Sequence, residues 1–84
     1  MFYVYILKSK LDNKFYTGFT GNLKQRFKDH KNGSVESTKN RRPLELIYYE
    51  AYNEKELALN REKFLKTTKG KMQLRKQINL RSGG

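Results

Sequence analysis

The fold is decided by residues 2–8, which read Phe-Tyr-Val-Tyr-Ile-Leu-Lys. Aromatic and β-branched side chains dominate this stretch, and both kinds favour a β-strand. Successive side chains of a strand point to opposite faces, so residues 2, 4 and 6 share one face and residues 3, 5 and 7 share the other. Both sets are largely apolar. We therefore predict a central strand that is covered on both sides.

A second strand is predicted directly after a turn. Asp12 and Asn13 are typical of a turn, because their side chains can hydrogen-bond to the nearby backbone. Residues 14–18 then form an antiparallel partner for the first strand. Gly18 is expected to end this second strand, and it allows a backbone conformation or a close approach that a side chain would block.

The middle of the chain predicts a helix, a loop and a third strand. Residues 22–31 form the helix, with Asn22 as its N-cap and Gly33 at the C′ position. Residues 34–43 are polar and basic, which indicates a mobile loop. Residues 44–52, Leu-Glu-Leu-Ile-Tyr-Tyr-Glu-Ala-Tyr, form the third strand.

Two further helices are predicted in the C-terminal part. Asn53 and Glu56 have the spacing of a capping box, so a helix opens there and continues to about Lys66. Gly70 interrupts the pattern, and a short basic helix is expected at about 71–78.

The order β-β-α-β-α-α predicts an α+β domain, with a three-stranded, mostly antiparallel sheet flanked by helices. The 84 residues allow one small domain and no second core. We assign that domain to residues 1–80 and expect residues 81–84 to be a frayed tail.

Composition narrows the classes of function. The chain has no Cys and one His, which excludes a disulfide-stapled scaffold, a thiolate metal site and a His-rich zinc site. No apolar run resembles a signal peptide or could span a bilayer, so we expect a cytoplasmic protein.

The net charge is +11, from 19 Lys and Arg against 8 Asp and Glu. Such an excess attracts polyanions and speeds their capture, so nucleic acid is the expected partner. The alternative is a merely soluble basic surface, since charge reports association and not fold. A membrane surface is not expected, because no segment pairs a basic face with a broad, strongly apolar one.

Two residues of the first helix are candidates for chemistry. Arg26 and His30 are four apart, so they are expected to project from one side, while Leu23 and Phe27 point to the core. The planar fork of Arg can clamp a phosphate, and His can transfer protons near neutral pH. The alternative is a solvated basic helix face.

Three tyrosines could meet on one face of the sheet. Tyr3, Tyr5 and Tyr16 do so if the hairpin register allows it, although core packing with the hydroxyl at the rim explains each of them equally well. A tyrosine that acts as a base needs nearby positive charge or a metal-bound hydroxide. Arg26 could supply such charge.

Glu62 is the one carboxylate in the basic stretch that begins at Arg61. It lies at the edge of the apolar face of its helix. A carboxylate there can hold Mg²⁺ or Mn²⁺, with water and a substrate phosphate in the other positions. The alternative is a salt bridge to Lys66 one turn later, worth a few tenths of a kcal/mol.

Two short motifs resemble the triplets that name the GIY-YIG nuclease superfamily. They are Tyr-Val-Tyr at residues 3–5 and Tyr-Thr-Gly at residues 16–18. Arg26, His30 and Glu62 follow in the order and spacing of the family's helix arginine, the histidine of several branches and the metal-binding glutamate. Either triplet alone is a weak signal, but all of these positions together are specific.

The resemblance runs from about residue 2 to residue 70. It extends to small single-domain bacterial members of the UPF0213 type, and to the nuclease domains of excinuclease C and of flap endonucleases. Tyr3 replaces the first Gly of the family name, a change that a strand can accommodate. Phe19 stands where the excinuclease C branch has a Lys, which removes one possible aid to lowering the pKa of Tyr16, but it resembles the flap-endonuclease branch.

The resemblance implies a metal-dependent DNA endonuclease that hydrolyses phosphodiester bonds with one Mg²⁺ or Mn²⁺ ion. Its DNA would be nicked, branched or single-stranded, and its role repair or recombination. It also implies a role for each site residue. Tyr16 would be the general base, Tyr5 would position it or the water, Arg26 would bind the scissile phosphate, Glu62 would hold the metal, and His30 would position water or assist proton transfer.

Two alternatives stay open at this point. One is a catalytically weak or inactive nucleic-acid-binding module on the same fold, and the other is a protein directed to RNA. A protein partner could also direct the chain to DNA. In each case we expect contacts to the nucleic acid from the basic residues Lys24, Lys28, Lys31, Arg41, Arg42 and Lys66.

Overall fold

The computed structural model describes the backbone of residues 1–82 and the side chains of residues 1–79. Three strands form one antiparallel sheet, namely β1 (Phe2–Ser9), β2 (Phe15–Thr20) and β3 (Leu44–Tyr52). Their order in the sheet is β2-β1-β3, which makes β1 the central strand and leaves β2 and β3 at the edges.

Helices cover both faces of this sheet, and they are α1 (Leu23–Lys31), α2 (Lys55–Leu65) and α3 (Thr68–Ser82). Helix α1 packs on the face that carries the odd-numbered residues of β1. Helices α2 and α3 pack on the opposite face. Residues Val4–Leu7 are buried without interruption as a result. The predicted α+β architecture and the central, doubly covered first strand are confirmed.

The turn between β1 and β2 is the one predicted. The Asp12 carboxylate accepts a hydrogen bond from the Lys14 backbone N–H at 2.9 Å, and Asn13 has a φ of 60°. Strand β2 nevertheless continues to Thr20, so the expectation that Gly18 ends it is wrong. Gly18 lies within the ladder opposite Tyr5, where its missing side chain is needed for a close approach rather than for a strand end.

Helix α1 begins and ends as predicted. The Asn22 side chain accepts a hydrogen bond from the Gln25 backbone N–H at 3.1 Å, which satisfies one of the free donors of the first turn. Gly33 follows the C-cap with a φ of 79°, a conformation that a side chain would strain.

The starts of the later helices differ from the prediction. The N-cap residue of α2 is Glu54, which makes no side-chain capping bond, so the capping box from Asn53 is not formed. Helix α3 begins at Thr68 and contains Gly70 instead of following it. The Thr67 hydroxyl accepts the Gly70 backbone N–H at 3.1 Å and caps this helix. A side chain at Gly70 would overlap with the last turn of α2, so the glycine lets the two helices pack closely.

The last helix is longer than the predicted one. Helix α3 is 15 residues long and includes Arg81 and Ser82, which were expected to be part of a tail. The other two residues of that expected tail, Gly83 and Gly84, lie outside the described residues. Within the described part of the chain, no helix is long and apolar enough to cross a membrane.

The segment 34–43 is packed against the domain, and the expectation of a mobile loop is wrong. Val35 and Thr38 are buried, and a short 3-10 helix spans Lys39–Arg41. The Ser9 hydroxyl donates to the backbone carbonyl of Arg41 at 2.7 Å. The two buried side chains hold the segment in place despite its polar composition.

A network around Glu50 joins β3 to α2 and α3. The carboxylate accepts 2.6 Å hydrogen bonds from the hydroxyls of Tyr48 and Tyr52, and the Arg61 guanidinium binds both of its oxygens at 2.9 and 3.1 Å. Arg61 also donates to Gln77 of α3 at 3.3 Å. Burial opposes the ionisation of Glu50, but these donors outweigh it and hold its pKa below the usual range. Sequence reasoning missed this network.

Candidate active site

Tyr5 lies at the centre of the candidate site. It is 1% exposed, and its hydroxyl is 2.8 Å from Nε2 of His30. Gly18 lies opposite it on β2, and a methyl group at Gly18 would overlap with the Tyr5 ring. The second triplet therefore ends in glycine because the phenol of the first triplet passes directly beneath it.

Tyr16 lies beside Tyr5 on the same face, because the register pairs Tyr5 with Gly18 and Leu7 with Tyr16. The ring centroids of the two tyrosines are 6.4 Å apart. The predicted meeting is confirmed for Tyr5 and Tyr16, whereas Tyr3 packs against Tyr49 instead. The Tyr16 hydroxyl accepts an exposed hydrogen bond from Ser37 at 3.4 Å, so it opens to solvent while the Tyr5 hydroxyl does not.

His30 is fully buried, and it packs edge-on against both tyrosine rings. Its Nδ1 atom is 2.7 Å from the hydroxyl of Thr38, so both ring nitrogens have partners. His30 and Arg26 do share a side of the helix, since both act on Tyr5, but the expectation that this side points away from the core is wrong for His30. Leu23, Phe27 and His30 follow the i, i+4, i+7 spacing of a helix stripe that faces a core.

Burial sets the protonation of His30. It disfavours the imidazolium form, the positive charge of Arg26 adds to this effect, and together they lower the pKa of His30 to about 4 despite Asp29. The ring is neutral at physiological pH, so one nitrogen donates a hydrogen bond and the other accepts one.

Arg26 lies on the flank of α1 that faces the two tyrosines, and its side chain is half-exposed. Burial raises the pKa of Tyr5, and the negative charge of Glu62 acts in the same direction. The guanidinium of Arg26 opposes the rise without cancelling it. Tyr5 is therefore a neutral phenol at physiological pH.

Glu62 reaches the same site from the other side of the sheet. It belongs to α2, yet its charge acts on the Tyr5 hydroxyl. Its side chain is 18% exposed, and Lys66 Nζ is 3.4 Å from Oε2. The salt bridge considered as the alternative is present, although the Lys66 side chain is mostly exposed and can turn away.

The donor set around Glu62 suits a hard cation with an open coordination sphere. The described residues contain no group of three or more His, Cys, Asp or Glu that could hold a metal ion. Magnesium is commonly bound by one or two carboxylates, with water and substrate phosphate as its other ligands. A single carboxylate whose charge acts on the tyrosine site therefore fits Mg²⁺ or Mn²⁺, since these ions take oxygen ligands from carboxylate, water and phosphate.

The basic residues expected to bind nucleic acid fall into separate places. Arg42 donates to the backbone carbonyls of Lys39 and Lys31 at 3.0 and 3.5 Å, and so holds the end of α1. Arg41 lies 3.8 Å from the Asp12 carboxylate. Lys66 belongs to the tyrosine site, because it pairs with Glu62. The other three basic residues are on α1 and line a groove away from that site, and they are Lys24, Lys28 and Lys31.

Sequence reasoning missed two polar neighbours of the tyrosines. Thr38 fixes the far side of the His30 ring, and Ser37 donates to the Tyr16 hydroxyl. Both belong to the segment that was expected to be mobile. Neither residue belongs to a recognisable motif. The one available signal was the apolar Val35, which could anchor this segment to the core.

Comparison with known proteins agrees with this geometry. The family described as the GIY-YIG catalytic domain matches residues 1–77. A UPF0213 protein of Clostridium perfringens is 46% identical over 77 residues, which are 88% of this chain and 82% of that protein. A UPF0213 protein of Staphylococcus haemolyticus is 46% identical over 66 residues, or 77% of this chain and 79% of that protein. The solution NMR structure of a UPF0213 protein from Bacillus halodurans has a TM-score of 0.58 at 36% identity, over 92% of this chain and 85% of that chain.

The chain therefore belongs to the GIY-YIG family, a family of nucleases. Its relatives named above are UPF0213 proteins, a name that specifies no activity.

Proposed function

We propose that the protein is a metal-dependent endonuclease that hydrolyses phosphodiester bonds in DNA. The observation that carries the proposal is the surroundings of the buried Tyr5, whose ring lies 6.4 Å from that of Tyr16 and whose hydroxyl is influenced by the charges of Arg26 on α1 and Glu62 on α2. A hydrophobic core requires neither a guanidinium nor a carboxylate beside two phenols. A chain of net charge +11 also attracts the substrate that this chemistry needs.

Arg26 would bind the scissile phosphate. Its guanidinium can donate two hydrogen bonds to phosphate oxygens and neutralise the charge that develops as the phosphorus is attacked. Tyr5 supports this role without exchanging a proton, since burial raises its pKa.

Tyr16 would meet the attacking water, because its hydroxyl is the one open to solvent. It would orient the water or accept its proton as general base, with Arg26 as the nearby positive charge. His30 would be a positioning residue, since its hydrogen bonds to Tyr5 and Thr38 fix the tyrosine pair from behind. Its neutral ring and complete burial disfavour direct contact with water.

Glu62 would hold the divalent ion after Lys66 turns toward solvent. When bound, Mg²⁺ or Mn²⁺ would supply a Lewis acid that stabilises negative charge on the leaving oxygen. The oxygen-only donor set described above supports this assignment.

The family membership supports nicked, branched or single-stranded DNA as the substrate class, and repair or recombination as the role. The size of the chain favours substrates that present a flexible or open backbone, since a small domain can surround little of a rigid duplex.

Cleavage assays test the proposal. Labelled flap, nicked and single-stranded DNA would be incubated with wild-type protein and Mg²⁺ or Mn²⁺, beside Glu62→Gln and Tyr16→Phe. Glu56→Gln is the matched control, because Glu56 is an exposed carboxylate on the same helix. We expect wild type and Glu56→Gln to cut, and the other two variants to lose about 10²-fold or more in rate.

A second candidate is a binding module with little activity, and the ion pair between Lys66 and Glu62 favours it, because an ammonium group there competes with a metal ion. This candidate predicts metal-independent binding without cleavage by the wild type. Lys66→Gln should then increase any residual cutting. Equal cleavage by wild type and Glu62→Gln would count against the assigned site.

A further inference from the structure

A groove of about 600 Å³ lies between α1 and β3 on the same face of the sheet as the tyrosine site. Its floor and walls are largely apolar and aromatic, and Tyr49 on the edge strand is 54% exposed. Tyr3 lies across from it, with ring centroids 6.2 Å apart and an angle of 66° between the rings. The groove leaves aromatic faces open that neither the core nor the proposed cleavage uses.

Lysines border this groove, and it contains no acidic residue among those that line it. Lys24, Lys28 and Lys31 are exposed and follow one another at i, i+4 and i+7 along α1. At about 1.5 Å of rise per residue they extend over roughly 10 Å of the helix. The groove thus combines a row of positive charge with an apolar interior.

The two sides of α1 face different sites. With about 100° of rotation per residue, the three lysines lie roughly 140–160° around the helix from Arg26. Arg26 faces Tyr5, and the lysines line the groove together with Tyr3 and Tyr49. The groove is therefore separate from the tyrosine site. The two sites lie on different sides of α1, a helix of 9 residues.

We propose that this groove binds an unpaired segment of the nucleic acid, with bases stacked on Tyr49 and Tyr3 and phosphates on the three lysines. The inference rests on the proposed function for its choice of nucleic acid. Its own support is the charge complementarity of the lysine row and the open aromatic faces. Proteins bind single strands through such a combination, because every base has a face that can stack, whereas a duplex hides those faces.

Binding measurements without metal test the groove apart from cleavage. Fluorescence anisotropy in EDTA would compare a labelled single strand with the duplex of the same sequence. Tyr49→Ala should weaken single-strand binding roughly 5- to 150-fold, the equivalent of about 1–3 kcal/mol for one stacked base. Duplex binding should change by less than about twofold, because no base face is offered to Tyr49.

Matched variants separate stacking from other causes. Tyr49→Phe keeps the aromatic face and should bind as the wild type, whereas Tyr49→Leu keeps apolar bulk and should be as weak as Tyr49→Ala. Lys28→Gln should reduce the salt dependence of binding by about one phosphate contact, and Lys55→Gln, on the opposite side of the sheet, should not. Circular dichroism would establish that each variant is folded.

Wild-type single-strand affinity in folded Tyr49→Ala would overturn the proposal, even if the protein cleaves DNA. Full affinity in Tyr49→Leu would also overturn it, because apolar bulk would then be enough for binding and no base would stack on an aromatic face. Absence of cleavage by the wild type, with a selective loss in Tyr49→Ala, would refute the endonuclease and leave the groove as a binding site.

Discussion

Protonation of His30 should make the fold sensitive to mild acid. The imidazole is buried and its pKa is lowered to about 4, mainly by burial and then by Arg26. In the unfolded chain the same group titrates near 6.5. Between about pH 6.5 and pH 4 the imidazole is protonated in the unfolded state and neutral in the folded state. The free energy of unfolding therefore falls as the pH drops through this range.

The size of this loss follows from the two pKa values. Each unit of difference corresponds to about 1.4 kcal/mol. Between pH 7 and pH 5 the unfolded histidine becomes almost fully protonated while His30 in the fold stays mostly neutral, which amounts to about 2 kcal/mol. For a domain of this size, the melting temperature should fall by roughly 8–16 °C from this group alone.

Urea unfolding at pH 7 and at pH 5 measures the effect, and His30→Gln isolates it. The variant should be less stable at pH 7 by roughly 1–3 kcal/mol, because it disturbs two buried hydrogen bonds. It should also lose about 2 kcal/mol less than the wild type between the two pH values. Equal losses in both proteins would show that the imidazole is accessible to protons in the fold, and would refute the reasoning.

Three further predictions concern packing, charge and cleavage. Gly18→Ala should lower the free energy of unfolding by roughly 1–3 kcal/mol through overlap with the buried phenol, whereas Gly21→Ala, where a methyl would meet nothing within 4 Å, should be nearly neutral in urea unfolding. Glu50→Gln should cost roughly 1.5–3 kcal/mol because it weakens charged hydrogen bonds, and the same change at the exposed Glu45 should cost far less in thermal denaturation. Arg26→Ala should reduce the rate of DNA cleavage about 10²- to 10³-fold while changing the salt slope of binding by about one contact. Unchanged cleavage would remove Arg26 from the site.

The sheet could be predicted from sequence because its signals are local. The two-sided apolar pattern of β1 and the turn at Asp12 and Asn13 set the hairpin, and the hairpin register then brings Tyr5 and Tyr16 together. Gly18 was recognised as a place of close approach, although the partner that approaches was not.

The burial of His30 could not be predicted in the same way. The polar character of His30 favours a surface position. Its place on the same helix stripe as Leu23 and Phe27 buries it instead. Burying an imidazole requires a partner at each nitrogen, and these partners are Tyr5 on β1 and Thr38 in the following segment. Hydrogen bonds of this kind depend on tertiary structure, so no local sequence pattern predicts them.

The Glu50 network could not be predicted from the sequence for a similar reason. Tyr48, Glu50 and Tyr52 alternate along one strand, so their shared face was visible in the sequence. The partner Arg61 is on α2 and Gln77 is on α3, and only the packed helices bring them within reach.

The bidentate contact between Arg61 and Glu50, together with the buried Ala58 and Leu65, restrains the rotation of α2 about its own axis. Glu62 is the next residue, so this contact on one face of the sheet constrains the direction of the carboxylate that we propose for the site on the other face. A side chain stands about 5–6 Å from the helix axis, and a turn of roughly 20° would move it by about 2 Å. Misplacements of about 1 Å can cost a catalyst 10²-fold in rate. The Arg61–Glu50 pair is therefore expected to orient Glu62. A substitution of Glu50 should impair cleavage, although Glu50 itself makes no contact with the DNA.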